Sequence, residues 1–213
     1  MKGTEIAELE RRYLLPQLPD FRQLGTLLYK APVGLVLQGF ELDRSQYDKR
    51  SLAVFCFVQP LYVPNDHLWF NFGNRLRDLV SNRDWWEIPE TNPEAVMRAI
   101  AEVVRVKGLP FLAKYQEPED LASWKDGLGN PNNLEGVTYS KLLKGDTRSA
   151  KKGLAALAKL ATAEEVAIRP WVGDIAARAV QVASALENDP ETAKALLASW
   201  RAETAGNLGL ALV

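Results

Sequence analysis

LVLQGFELDRSQYDKRSLAVFCFVQPLYVPNDHLWFNFGNRL, residues 35–76, is the stretch that decides the fold of this chain. It contains three runs, 35–45, 51–63 and 66–76, which are rich in β-branched and aromatic residues and joined by short polar or Pro-containing connections. Such runs are typical of β-strands. The stretch therefore predicts consecutive strands of an antiparallel sheet.

The alternation of side chains predicts different surroundings for the last two runs. In residues 51–58 both alternating sets are apolar, so this strand is predicted to be covered on both faces. In His67–Gly73 one set is apolar, whereas the other contains His67 and Asn71. This strand is therefore predicted to be half polar, and the residues that follow it, 74–80, fit a helical turn or two.

Composition indicates a globular protein without a membrane-spanning segment. The 213 residues are 47% hydrophobic and 25% charged, as in average globular chains. The longest apolar run, 52–58, is far shorter than the roughly 20 residues that a membrane helix requires. The charged stretch 1–13 lacks the apolar core of a signal peptide, and a lone Cys cannot form an internal disulfide. We therefore expect a cytoplasmic protein.

The charge balance argues against dedicated nucleic-acid binding. The formal net charge is −1 and the isoelectric point is near 6.0. Affinity for phosphates comes largely from an excess of Lys and Arg. The sequence therefore favours a protein partner over a nucleic acid.

A run of turn-forming residues, GLGNPNN at 127–133, is the predicted linker between two parts of the chain. Residues 1–126 are predicted to form an α/β domain on an antiparallel sheet, with a helix over 94–107 that stops at Gly108. Residues 134–213 are predicted to be all-helical. The helices expected there cover 134–143, 147–160, 170–187 and, after the N-cap Asp189, 190–203. The predicted fold class is α+β.

His67 and Cys56 are the two residues that could carry His- or Cys-based catalysis. His67 follows Asp66 in a turn, and we interpret it as a strand-entry residue rather than a general base. Cys56 lies between Phe55 and Phe57 and is interpreted as a buried apolar side chain. Spacings typical of phosphate loops, dinucleotide sites, zinc sites or EF-hands do not occur, so neither a cofactor nor a metal is expected.

Polar and aromatic side chains near the end of the strand-rich stretch are the candidate binding residues. They are Tyr62, Asp66, His67, Trp69, Asn71 and Arg75. Together with Trp85 and Trp86, the aromatic members could form a recognition surface. The alternative is that the tryptophans belong to the core between the sheet and the helix that starts at Glu94.

Residues 139–157 resemble the helical hairpin of a single tetratricopeptide unit. The matching residues are Gly145 and Asp146 at the turn, Ala150 in the second helix, and Leu154 and Leu157 on its inner face. The chain shows no second copy of this pattern. A solitary hairpin cannot form the concave groove that stacked repeats create, so we interpret it as structural.

Residues 20–76 resemble small uncharacterised bacterial α/β domains, some of which occur among immunity-like proteins of toxin systems. The resemblance lies in an N-terminal helix followed by Gln38-Gly39-Phe40 with Arg44, then Val58-Gln59-Pro60-Leu61-Tyr62, then Phe70-Asn71-Phe72-Gly73. It implies a sheet with packed helices that is used for binding rather than for catalysis. It assigns a function to no individual residue.

The leading hypothesis is a non-catalytic protein-interaction module, immunity-like in type, that binds its partner through an edge or face of the 35–76 sheet. The alternative is a hydrolase that uses carboxylates, with or without a divalent metal. A third hypothesis is a scaffold whose helical part mediates homo-oligomerisation. The sequence does not identify the partner.

Overall fold

The computed structural model describes residues 1–160 and 162–212 and confirms the predicted α+β class. Its strands are β1 (Phe21–Leu24), β2 (Leu27–Lys30), β3 (Val36–Arg44), β4 (Ser51–Pro60), β5 (Phe72–Arg75) and β6 (Trp86–Glu87). Its helices are α1 (Gly3–Tyr13), α2 (Glu94–Val103), α3 (Leu109–Lys114), α4 (Pro118–Leu121), α5 (Pro131–Leu143), α6 (Thr147–Ala158), α7 (Ala163–Ile168), α8 (Pro170–Asn188) and α9 (Pro190–Asn207). None of the helices in this described part is long and apolar enough to cross a membrane.

The chain divides into two compact units that each use two stretches of sequence. The first unit contains Met1–Gln59 and Phe72–Gln116, and the second contains Pro60–Asn71 and Glu117–Val213. The sequence predicted a division at 127–133 instead. The structure differs because the connection between β4 and β5 belongs to the helical unit, a long-range association that local turn signals do not report.

The first unit is built on an antiparallel sheet with the strand order β1-β2-β3-β4-β5. β6 also pairs with β4, at Ser51 and Leu52, whereas β5 pairs with its residues 55–58. In β4, the side chains of residues 52–54 and 56–58 are completely buried. This confirms the prediction that the strand is covered on both faces, as a doubly apolar strand requires.

The predicted strand over His67–Gly73 is wrong, because strand structure begins only at Phe72. The backbone between β4 and β5 turns and bends through residues 61–71. Pro64 lies within this connection and has no N–H to donate to a sheet ladder. His67 is therefore not a strand-entry residue, and the half-polar face predicted for this strand does not exist.

The helix predicted to stop at Gly108 continues past it. α2 passes through a π-helical turn, Val104–Gly108, directly into α3. A Cβ atom on Gly108 would lie 2.5 Å from the ring of Phe40, and the Cys56 thiol lies 3.5 Å from the Gly108 carbonyl oxygen. Gly108 thus permits the close approach of the helical layer to the sheet, rather than ending a helix.

Glu10 gives the first unit a predicted pH dependence. Burial raises its pKa to about 9, although Gln23 donates a hydrogen bond to it. A raised folded-state pKa contributes stability that is complete below the unfolded value of 4.5 and is lost as pH rises toward 9. We expect the free energy of unfolding to fall across this window, by up to about 1.4 kcal/mol per pH unit.

Urea titrations at several pH values would measure this dependence. Glu10→Gln should reduce it, because the amide stays neutral at every pH, and should leave a smaller dependence from Glu41, whose pKa burial raises to about 7. The exposed Glu8 on the same helix supplies the matched control, since Glu8→Gln should leave the dependence unchanged. An equal pH dependence in wild type and Glu10→Gln would contradict the assignment to Glu10.

The second unit has the helical hairpin that was predicted near residues 139–157. α5 and α6 are joined at Gly145, which has a φ of +89°, and the Asp146 side chain caps α6 by accepting a hydrogen bond from the Ser149 N–H. The predicted helices over 134–143, 147–160, 170–187 and 190–203 correspond to α5, α6, α8 and α9. α7 is an additional short helix that the sequence did not predict.

The connection between β4 and β5 is held in the second unit by buried hydrogen bonds. The Tyr62 hydroxyl pairs with the Ser140 hydroxyl on α5 at 2.5 Å. The Thr204 hydroxyl on α9 donates to the Val63 carbonyl oxygen at 3.2 Å. Tyr62, Ser140 and Thr204 are all completely buried, so these bonds satisfy polar groups that would otherwise be costly to bury.

Candidate functional site

The candidate site is an open cleft of about 500 Å³ in the first unit. It is lined by Cys56 on β4 and Asn74 on β5, by residues of the loop after β5, and by Lys107 and Phe111 from the helical layer. The volume lies in the range of about 300–1,000 Å³ that is typical of ligand clefts. The π-helical turn that carries Lys107 is a feature often found at functional sites.

The loop between β5 and β6, residues 76–85, is rigidly organised around Asp78. Its carboxylate accepts hydrogen bonds from the main-chain N–H groups of Val80 and Ser81, at 3.1 and 2.6 Å. Hydrogen bonds from the Ser81 main chain and side chain hold the pKa of Asp78 below its ordinary value. The Asp78 N–H also donates to the Arg83 carbonyl oxygen at 2.9 Å, which closes the loop.

This closed loop corrects the prediction of a helical turn over residues 74–80. Residues 74 and 75 are still in β5, and the backbone after them turns rather than forming a helix. The Asp78 carboxylate accepts hydrogen bonds from the Val80 and Ser81 N–H groups, which in a helix would donate to main-chain carbonyl oxygens. This is the competition by which Asp disfavours helices and favours turns.

The loop presents apolar side chains to solvent. Val80 is 95% exposed, Leu79 is 47% exposed and Trp85 is 41% exposed. Trp86, the next residue, is buried, and its indole N–H donates to the Leu76 carbonyl oxygen at 3.3 Å. The buried Trp86 therefore fixes the end of the loop, whereas Trp85 is exposed on its surface.

Arg75 is held in place at the end of β5. Its guanidinium carbon lies 5.0 Å from the ring centre of Phe55 and 5.1 Å from that of Trp85, which are cation–π distances. It also forms an ion pair with Asp84, at 3.6 Å between nitrogen and oxygen. Arg75 thus fixes Trp85 relative to the sheet, and its charge is partly neutralised.

Arg77 and Lys107 are the exposed cations of the cleft that lack an ion-pair partner among the described residues. Long exposed side chains of this kind reorient easily toward an incoming anion. The cleft therefore offers two available positive charges.

β5 leaves one of its edges open. In the described sheet it pairs with β4 and with no strand beyond it. The Leu76 N–H donates to the Val54 carbonyl oxygen on β4 at 2.8 Å. Along an antiparallel strand, the main-chain N–H and C=O groups of successive residues point alternately toward one neighbouring strand and away from it. The main-chain N–H and C=O groups of Gly73 and Arg75 consequently point away from β4, where a further strand could pair.

The six predicted binding residues are divided between the two units. Arg75 belongs to the first unit, whereas Tyr62, Asp66, His67, Trp69 and Asn71 belong to the second. Asp66 and His67 form an exposed pair in a turn, with 2.7 Å between the Asp66 carboxylate oxygen and His67 Nδ1. Asn71 is half-buried. Of the six, Arg75 alone lines the cleft.

Two predicted binding residues have little surface to offer. Tyr62 is completely buried and Trp69 is 8% exposed. Burial raises the pKa of the Tyr62 hydroxyl, so it stays a neutral hydrogen-bonding group. Trp86 is a core residue of the first unit, whereas Trp69 is buried but belongs to the second unit and not to the predicted core between the sheet and the Glu94 helix. Trp85 is a surface residue.

Sequence reasoning missed the loop residues and Lys107 of the cleft. The available signal was the run Arg77-Asp78-Leu79-Val80-Ser81-Asn82-Arg83, in which Asp, Ser and Asn are residues that favour turns. No local signal connects this run with Lys107, because the two are brought together by the packing of the helical layer on the sheet.

Cys56, the residue that could carry Cys-based catalysis, is completely buried, and burial raises the pKa of its thiol. Within residues 1–160 and 162–212, no group of three or more His, Cys, Asp or Glu side chains is arranged to hold a metal ion.

Comparisons of the chain with models of protein families, with curated proteins and with solved structures found no match.

Proposed function

We propose that this chain is a protein-interaction module that binds its partner through the loop 76–85 and the adjoining edge of β5. The observation that carries the proposal is the exposure of Leu79, Val80 and Trp85 on a loop closed by hydrogen bonds. Exposed apolar groups in soluble proteins often mark interaction sites. Trp and Arg are also enriched among the residues that dominate binding energy.

The rigidity of the loop supports binding. Asp78 holds the loop from within, and Arg75 stacks on Trp85. A partner would therefore meet side chains that are already positioned, and less conformational entropy would be lost on association. The immunity-like role that the resemblance of residues 20–76 implies stays a prediction.

Site-specific photo-cross-linking tests the proposal. A benzophenone amino acid is placed at position 80 or 85 of the full chain, and the chain is irradiated in lysate of the native host. We expect both positions to cross-link to the same protein. Tyr47, which is 100% exposed on the turn between β3 and β4, is the matched control position and should not give this product.

The cross-link should depend on the apolar tip of the loop. Leu79→Asp should reduce the yield from position 80 by about tenfold, while circular dichroism reports that the fold is kept. Equal yields from positions 47 and 80 would contradict the proposal, as would the absence of any product from positions 80 and 85. A cross-link between two copies of the chain would show that this surface mediates self-association instead of binding a different protein.

A further inference from the structure

We propose that the cleft beside β5 binds an extended, acidic segment of the partner protein. This inference rests on the proposed function, because it assigns the chemistry of the partner at the same surface. It depends on three properties of the cleft, namely its charge, its open strand edge and its apolar wall.

The charge of the cleft favours an anionic occupant. Arg77 and Lys107 line it without ion-pair partners among the described residues, and Asp78 is the one carboxylate among the described lining residues. The carboxylate of Asp78 already accepts two main-chain hydrogen bonds. The chain as a whole has a net charge of −1, so the positive character is local to this surface and complements an acidic segment.

The open edge of β5 favours an extended occupant. The main-chain groups of Gly73 and Arg75 point away from β4, and an added strand would find donors and acceptors there. This is the way in which many domains bind extended peptides at a sheet edge. β5 has only four residues, so main-chain pairing alone would be short, and side-chain contacts must supply much of the affinity.

The apolar lining favours a protein segment that contains both acidic and apolar residues. Leu79 and Phe111 line the cleft together with the two cations. A segment that contains both Glu and Val offers carboxylates to Arg77 and Lys107 and apolar side chains to Leu79 and Phe111.

A nucleic acid fits this surface less well than an acidic protein segment. Val80, at 95% exposure, presents an aliphatic side chain where nucleic-acid interfaces are usually polar and positively charged. Binding of a nucleic acid at this surface is therefore the alternative that the test below must detect.

Fluorescence polarisation with synthetic peptides tests the inference on the full chain. The probe is a labelled peptide of about six residues that alternates Glu and Val, the length of an average strand. Analogues with Gln or Lys in place of Glu keep the pattern and change only the charge. We expect the Glu peptide to bind at least about tenfold more tightly than either analogue, with affinity that falls as salt is added.

Charge-reversal variants locate the binding. Arg77→Glu with Lys107→Glu should weaken the Glu peptide by at least about tenfold, and the paired control Lys151→Glu with Lys152→Glu, on exposed positions of α6, should not. Inorganic phosphate and a single-stranded oligonucleotide are added as competitors. Neither should displace the peptide at the ionic strength at which it binds.

The outcomes separate the inference from the proposed function. Equal affinity for the Glu and Gln peptides, no binding of the Glu peptide, or displacement by the oligonucleotide would overturn the acidic-segment inference. If any of these occurred while positions 80 and 85 still cross-linked to one protein, the interaction module would stand with a different occupant. Binding of the Glu peptide that is unaffected by Arg77→Glu with Lys107→Glu would also overturn the inference, because the site would lie elsewhere.

Discussion

Arg178→Met is expected to lower the free energy of unfolding of the helical unit by about 3–5 kcal/mol. Arg178 on α8 binds Glu135 on α5 through two hydrogen bonds, of 2.7 and 2.8 Å. The Glu135 side chain is completely buried, and Arg178 is only 21% exposed. Removal of the guanidinium leaves a buried carboxylate whose remaining partner is the Tyr139 hydroxyl, at 3.0 Å.

Urea unfolding monitored by circular dichroism would measure the loss. The control is Lys194→Met, because Lys194 pairs with Glu191, whose side chain is 74% exposed. Removal of such an exposed pair should cost no more than about 1 kcal/mol. If Arg178→Met cost as little as Lys194→Met, the buried pair would not have the assigned role.

Two further measurements test whether the loss of stability comes from the buried Glu135 carboxylate that Arg178→Met leaves without a cation. Burial already raises the pKa of Glu135 in the intact pair, so without Arg178 this carboxyl should take up a proton readily. The cost of Arg178→Met should therefore shrink as pH falls toward 4.5, the ordinary pKa of Glu. Adding Glu135→Gln to Arg178→Met should recover part of the stability, because no charge is then left buried.

Gly153→Ala is expected to destabilise the same unit by about 1–3 kcal/mol through overpacking. A Cβ atom at this position of α6 would lie 2.2 Å from the Thr138 hydroxyl oxygen and 2.8 Å from its methyl carbon. Thr138 lies on α5 and is buried, so its side chain cannot move into solvent. The clash should exceed the roughly 1 kcal/mol that Ala gains over Gly in a helix.

Gly206→Ala is the matched control for this substitution. Nothing lies within 4 Å of a Cβ atom at position 206 of α9, so the change should be neutral or stabilising. Thr138→Ala should rescue Gly153→Ala, because it removes the two closest atoms. A measured stabilisation by Gly153→Ala in the wild-type background would refute the close approach of α5 and α6.

Local sequence signals predicted the helices of the second unit well. Asp189 caps α9 as expected, because its side chain accepts a hydrogen bond from the Glu191 N–H at 3.2 Å. Pro190 follows at the first helical position, where its missing N–H has no cost. These signals act within a few residues, so they can be recognised without knowledge of the tertiary fold.

The candidate site was predicted only in part. Of its residues, Arg75 was identified beforehand, whereas Arg77 and Lys107 were not. The alternation over His67–Gly73 was misleading, because Trp69, on the side predicted to be polar, is buried, whereas Leu68 and Phe70 are only half-buried. A period of two in a short segment does not distinguish these surroundings.

The sequence by itself determined the α+β class, the doubly covered strand β4 and the ends of helices that carry strong capping residues. These features depend on side-chain period and on hydrogen bonds between near neighbours. Only the tertiary structure decided which unit contains the connection 60–71, which tryptophan is exposed, and which cations line the cleft. Those outcomes depend on contacts between residues far apart in the chain, such as Tyr62 with Ser140, and no local pattern encodes them.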